Sequence, residues 1–226
     1  MKKIKRFLIV LLFLVGVCFI YIQIVNRNSI NMTYRQKVLK AVYPVFMWIA
    51  KLTGTNAKEL ANTDKTSVVS FYSLKDTLND GSIFYFDQLK GKKVILVNTA
   101  SDCGYTDQYG DLQKLYETNK DHLTIIGFPA NDFKNQEKGD DASIITFCQR
   151  NYGVSFLLMK KSSVKKGVNQ NLVFQWLTDA TKNGWNNEVP SWNFTKYIVN
   201  ENGVLTNYFG STISPLSDVF KKAIEK

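Results

Sequence analysis

Of the three cysteines in this 226-residue chain, Cys103 stands where a sulfur can do chemistry. It follows Lys93 to Thr99 (KVILVNT), a near-continuous β-branched run of the kind that forms a strand buried on both faces. It precedes a stretch with Tyr109, Leu112, Leu115 and Tyr116 at helical spacing. A sulfur between a strand end and a helix start lies near free backbone N–H groups and the positive helix end, and both favour the thiolate. A thiolate, not a thiol, attacks a peroxide O–O bond and becomes a sulfenic acid. Position alone leaves a buried structural cysteine equally open.

Other chemistries find less support. Cys103-Gly104-Tyr105-Thr106 lacks the second cysteine of a Cys-x-x-Cys site, which sets a dithiol–disulfide oxidoreductase aside. His122 is the only histidine and the cysteines are widely spaced, so neither a metal nor a cofactor is expected. The glycines form no phosphate-binding loop.

The elements that must position Cys103 follow from the hydrophobic pattern. Val68 to Leu74 and Ile83 to Phe86 flank Asn79-Asp80-Gly81 and read as a β-hairpin. Leu123 to Phe128 is a second buried strand. Asp140 or Asp141 can cap a helix carrying Ile144, Ile145, Phe147 and Cys148. Phe156 to Met159 is extended, and Asn171 to Lys182 helical. Tyr197 to Val199 and Val204 to Phe209 form a hairpin about Asn202-Gly203, and a last helix starts at Ser214. The order predicts a thioredoxin-like α/β fold over residues 67–226, a central mixed sheet flanked by helices.

Four blocks carry a more specific signal: VNTASDCGYTDQY at 97–109, GFPANDFKNQEKG at 127–139, FCQRNYGVSF at 147–156 and WNFTK at 192–196. In this order and spacing they resemble the glutathione peroxidase family, from about Val69 to the C-terminus. The resemblance implies a catalytic group of Cys103, Gln136, Trp192 and Asn193, whose amides and indole can donate hydrogen bonds to a thiolate and to the leaving oxygen. It places Cys148 at the resolving position of the two-cysteine, thioredoxin-dependent members. The implied activity is reduction of hydrogen peroxide and organic or lipid hydroperoxides, with a thioredoxin-like protein, or less readily glutathione, as reductant. A permanent Cys103–Cys148 disulfide, and a peroxide sensor that relays its disulfide to a partner, are the alternatives.

The chain departs from the family at several positions. Ala130 stands where many relatives carry Cys, Asp132 where they carry Gln, and Leu157 where they carry Pro. Asp102 places a carboxylate beside the nucleophile, which opposes ionisation unless it points to solvent. The span from Lys160 to Trp192 is short beside that of tetrameric relatives, so a monomer is expected.

Charge and hydropathy separate this domain from its N-terminus. The net charge of +10 suggests nucleic acid, yet residues 1–65 hold 11 Lys/Arg against 2 Asp/Glu, and residues 66–226 hold 18 against 17. A nucleic-acid binder carries its basic charge on the folded part, so none is expected here. Basic residues 2–6 followed by uncharged residues 7–25 make residues 1–25 a signal anchor, about long enough to span a bilayer. Cys18 is apolar filler within it. The basic cluster argues for a cytoplasmic N-terminus and an extracytoplasmic domain. Residues 26–66 form a connector in which Leu39 to Ala50 recur at helical spacing, disturbed at Pro44. This segment either lies on the membrane surface or packs on the domain. Asn56 to Ser67 is expected to be loop.

Overall fold

The protein is described by a computed structural model over residues 2–225. Two runs rich in β-branched residues form its centre. Strands β4 (Lys93–Thr99) and β5 (Leu123–Pro129) are buried along their whole length and pair in parallel. The sheet runs β1-β8-β7-β4-β5-β6. Here β1 is Glu59–Ala61, β6 Leu157–Leu158, β7 Lys196–Val199 and β8 Leu205–Phe209. Strand β6 continues the parallel part, while β7, β8 and β1 are antiparallel to their neighbours. A hydrophobic cluster lies on each face, one around Phe71, Phe128, Phe174 and Trp176, the other around Tyr109, Leu112, Ile144 and Phe209. The expected thioredoxin-like fold is present.

Local chemistry moves several boundaries. Phe71 enters the core from a short 3₁₀ turn capped by Ser70, so the first hairpin pairs β2 (Lys75–Thr77) with β3 (Ile83–Tyr85) and Val68 and Val69 stay outside it. The helix expected over Asn171–Lys182 is two, α5 (Leu172–Leu177) and α6 (Ala180–Asn183). Asp179 breaks the run by capping α6 through the Thr181 N–H. The last helix, α7, is Asp218–Glu225, with Ser214 in the preceding turn. Helices α3 (Gln108–Asn119) and α4 (Asp141–Tyr152) lie where the pattern puts them, and Asp140 caps α4 through the Ser143 N–H at 2.8 Å.

The N-terminal third is more ordered than the expected connector. Helix α1 (Lys2–Val25) is long and apolar enough to cross a membrane, and none of it is buried in the protein. Asn26 at its end donates to the carbonyls of Ile22 and Lys37, and the Tyr21 hydroxyl reaches the Ala41 carbonyl, so α1 is tied to a second long helix. That helix, α2 (Tyr34–Thr53), starts in a Thr33–Gln36 capping box, runs through Pro44 without ending and stops at left-handed Gly54. One side of it (Arg35, Gln36, Tyr43, Phe46, Met47) lies on the domain. Val45, Trp48, Ile49 and Leu52, on the opposite side, are exposed. The polar segment after Gly54, expected to be loop, supplies edge strand β1. It pairs with β8 through backbone groups and needs little side-chain pattern to do so.

Candidate active site

The turn after β4 is built around Thr106. The Cys103 N–H donates to Thr106 Oγ1 at 3.0 Å, and that hydroxyl lies 2.8 Å from the carbonyls of both Ala100 and Cys103. The turn spans residues 101–107 before α3 begins, so Cys103 is not itself at the helix start. The Tyr105 N–H points at Cys103 Sγ from 3.4 Å, and the side chains of Trp192 and Asn193 lie near enough to the same sulfur to favour its thiolate. Cys103 is buried, and burial pushes its thiol up. The Tyr105, Trp192 and Asn193 donors, and the positive charge of Arg35, act in the opposite direction.

Asn193 and Trp192 arrive on a turn organised from inside the sheet. Asn98, fully buried in β4, donates from Nδ2 to the Trp192 carbonyl at 3.1 Å and accepts from the Thr195 N–H at 3.1 Å. The Asn98 carbonyl accepts from the Phe194 N–H. Phe194 takes a positive φ of 65°, an unfavourable region for an aromatic residue, and its buried ring meets Tyr109 edge-on. Trp192 is flanked by the Phe133 ring at 5.6 Å and by the Lys134 ammonium.

Gln136 stands one step further out. Its Oε1 accepts from Asn193 Nδ2 at 3.0 Å, and its carbonyl accepts from the Asp102 N–H at 3.0 Å. Gln136 thus orients the amide that faces the sulfur and ties its own loop to the Cys103 turn. Its neighbour Glu137 is buried, with the Ser101 hydroxyl donating to it at 3.1 Å. Burial pushes the Glu137 carboxyl up to about 7, against the Ser101 hydrogen bonds and the Lys161 charge.

Cys148 lies on the inner face of α4, fully buried and unpaired, in the same apolar cluster as Cys103. Burial pushes its thiol up to about 12, with the neighbouring Tyr109 side chain acting the other way. Cys103 is likewise free in this structure. The five residues named by the pattern fall into two groups: Cys103, Trp192, Asn193 and Gln136 together, and Cys148 beneath a helix.

The family departures have structural explanations. Ala130 is core filler. Asp132 accepts from Ser163 Oγ and from the Val164 N–H, closing the loop beneath Phe133. Leu157 pairs with Ile126 in β6. Asp102 is not turned freely to solvent: it forms an ion pair with Arg35 of α2. Arg35 and Asn98 were not singled out by sequence. For Asn98 a signal exists, an amide inside an otherwise apolar strand. For Arg35, 67 residues before its partner, there is none.

Comparison with known proteins decides the family. The glutathione peroxidase family model matches residues 71–178. Over 148 residues the chain is 45% identical to a glutathione peroxidase-like peroxiredoxin of Chlamydomonas reinhardtii, covering 65% of this chain and 90% of that one. The chain belongs to the glutathione peroxidase family. This peroxidase is also 44% identical to glutathione peroxidase-like peroxiredoxin 2 of Saccharomyces cerevisiae, over 66% of its own length and 91% of the relative's. Identity to the glutathione peroxidase homolog BsaA of Bacillus subtilis is 38%, over 70% and 100%. Among solved structures, Trgpx in its apo form aligns with TM-score 0.54 at 30% identity, covering 71% of this chain and 98% of that one. T. cruzi GPX1 aligns with TM-score 0.53 at 25% identity, covering 68% and 93%. The family match begins at Phe71, so α1, α2 and β1 lie outside it.

Proposed function

We propose that Cys103 is the peroxidatic residue of a two-cysteine thiol peroxidase. Its thiolate attacks the terminal oxygen of a hydroperoxide. An S–O bond forms, the O–O bond breaks, and the alkoxide or hydroxide leaves and takes up a proton, giving a sulfenic acid and an alcohol or water. The carrying observation is the convergence of the Tyr105 N–H, Trp192 and Asn193 on one sulfur. Donors there stabilise the thiolate and the negative charge that grows on the departing oxygen. Gln136 holds Asn193 to that task.

Cys148 then attacks the sulfenic sulfur. The S–S bond forms, the S–O bond breaks, and hydroxide leaves as water. A thioredoxin-like dithiol reduces the disulfide by exchange. The kinship with yeast and algal glutathione peroxidase-like peroxiredoxins supports a protein dithiol ahead of glutathione.

The N-terminal elements complete the reading. Helix α1 is a single-pass signal anchor over residues 7–25, and the domain is extracytoplasmic and monomeric. The exposed apolar side of α2 rests on the membrane surface, on the same side as the end of α1 to which it is tied. Lipid hydroperoxides follow as substrates beside hydrogen peroxide.

The test is peroxide turnover by the full chain in detergent, with thioredoxin or glutathione supplied in parallel. Cys103→Ser should abolish turnover with either. Cys148→Ser should still consume one equivalent of peroxide but lose thioredoxin-supported cycling. Normal cycling by Cys148→Ser would remove the resolving role.

A further inference from the structure

We propose that Arg35, on a helix outside the family domain, is a positioning residue for the peroxidase reaction. It pins the Asp102 carboxylate and brings a positive charge to the Cys103 turn. The inference rests on Cys103 being the peroxidatic thiol.

The chain places a carboxylate directly before its nucleophile, and an unpaired charge there works against the thiolate. Arg35 meets that carboxylate in an ion pair, and its guanidinium also donates to the Asp102 carbonyl at 2.9 Å. One side chain thus binds both polar ends of the residue next to the sulfur. Around it, α2 seats the whole turn. Gln36 Nε2 donates to the Ser101 carbonyl at 3.0 Å. The Phe46 ring lies 4.9 Å from that of Tyr105 and so close over Gly104 that a Cβ there would come within 3.3 Å of it. Tyr43 anchors the helix to Asp111 of α3.

These contacts fix Ser101 to Tyr105, the segment whose Tyr105 N–H donates to the sulfur. Arg35 acts on the thiol in the same direction as the local donors. Gln36 shares the seating role but carries no charge, so the two neighbours separate electrostatics from mere docking. Arg35 is 54% exposed and Asp102 32%, which makes the contribution moderate and sensitive to salt.

The experiment follows Cys103 alkylation by iodoacetamide on the full chain in detergent, peptide by peptide in the mass spectrometer, from about pH 5 to 9. Hydrogen peroxide turnover is measured alongside. Arg35→Gln should move the alkylation midpoint to higher pH and slow the reaction near neutrality on the order of threefold to tenfold. Arg35→Lys should keep most of the wild-type profile. Adding Asp102→Asn to Arg35→Gln should recover much of the lost rate, and Gln36→Ala should leave the midpoint in place. An Arg35→Gln profile that overlays the wild type, or a Gln36→Ala shift of equal size, overturns the proposal. Wild-type turnover beside an unmoved Arg35→Gln profile removes this inference alone. A wild-type Cys103 inert to peroxide removes the proposed function and Arg35's part in it together.

Discussion

At Cys103 two opposing effects meet: burial disfavours the thiolate, and the nearby donors and the Arg35 charge work against that without cancelling it. The donors are unequal. Asn193 faces the sulfur, whereas Gln136 touches Asn193. Asn193→Ala is therefore expected to lower kcat/KM for hydrogen peroxide on the order of a hundredfold. Gln136→Ala should cost clearly less, because the amide it orients remains. Steady-state kinetics on the two variants decides the ranking, and equal losses would place Gln136 on the sulfur during turnover. Glu137 next to it gives a pH signature. Its folded carboxyl is raised to about 7, well above the ordinary glutamate value. A raised carboxyl favours the folded state fully below the unfolded value, and that contribution is lost as pH rises through the folded one. Stability should thus fall between about pH 5 and pH 8, by up to a few kcal/mol, and Glu137→Gln should flatten the slope. Urea unfolding at both pH values measures it.

The proposed resolving step is a problem for one element. Cys148 is buried under α4 with its thiol pushed up to about 12, so it reacts only after leaving that environment. Disulfide geometry needs Cα atoms within about 7 Å, and α4 is held by the Asp140 cap, by the Lys161 N–H on Asp141 and by Asn151 on Ile30. Oxidation should raise amide hydrogen exchange across Asp141–Tyr152 by tenfold or more, while β4 and β5 amides stay protected. Unchanged exchange in α4 after disulfide formation would contradict the opening. What sequence revealed about these elements follows their physics. Strands β4 and β5 and the cap of α4 were legible because burial on both faces and capping leave local marks in the residues. Strand β1 was not, since Glu59-Leu60-Ala61 joins the sheet through backbone pairing with β8. The break between α5 and α6 hangs on one aspartate, Asp179, that could equally have been a surface charge. The four candidate site residues were chosen from their blocks, but that Gln136 meets Asn193 is a matter of side-chain direction, which spacing does not encode. Asn98 holds the Trp192 turn from inside the sheet. Its loss as Asn98→Ala leaves buried partners unpaired and should cost about 2–4 kcal/mol in urea unfolding.

Across the whole molecule, α2 joins two environments. Its inner side seats the Cys103 turn, and its outer side offers Val45, Trp48, Ile49 and Leu52, each at least 47% exposed. An apolar stripe of this size on a helix next to a membrane-length segment fits the bilayer interface better than open water. The sulfur would then be held close to the lipid surface, where phospholipid hydroperoxides present their oxygens and hydrogen peroxide arrives equally from solution. The two substrates should therefore respond differently to the outer stripe. Replacing Val45, Trp48 and Leu52 together by Ser leaves the inner contacts of Arg35, Gln36, Tyr43 and Phe46 in place. In the full chain reconstituted into vesicles, this variant should turn over hydrogen peroxide at the wild-type rate and lose on the order of tenfold on vesicle-borne phospholipid hydroperoxide. In detergent micelles, which bring the lipid to the site without a membrane plane, the difference should shrink. A parallel drop on both substrates would mean that the stripe only helps α2 to fold, and an unchanged lipid rate would mean that the site meets its lipid without α2 lying on the surface.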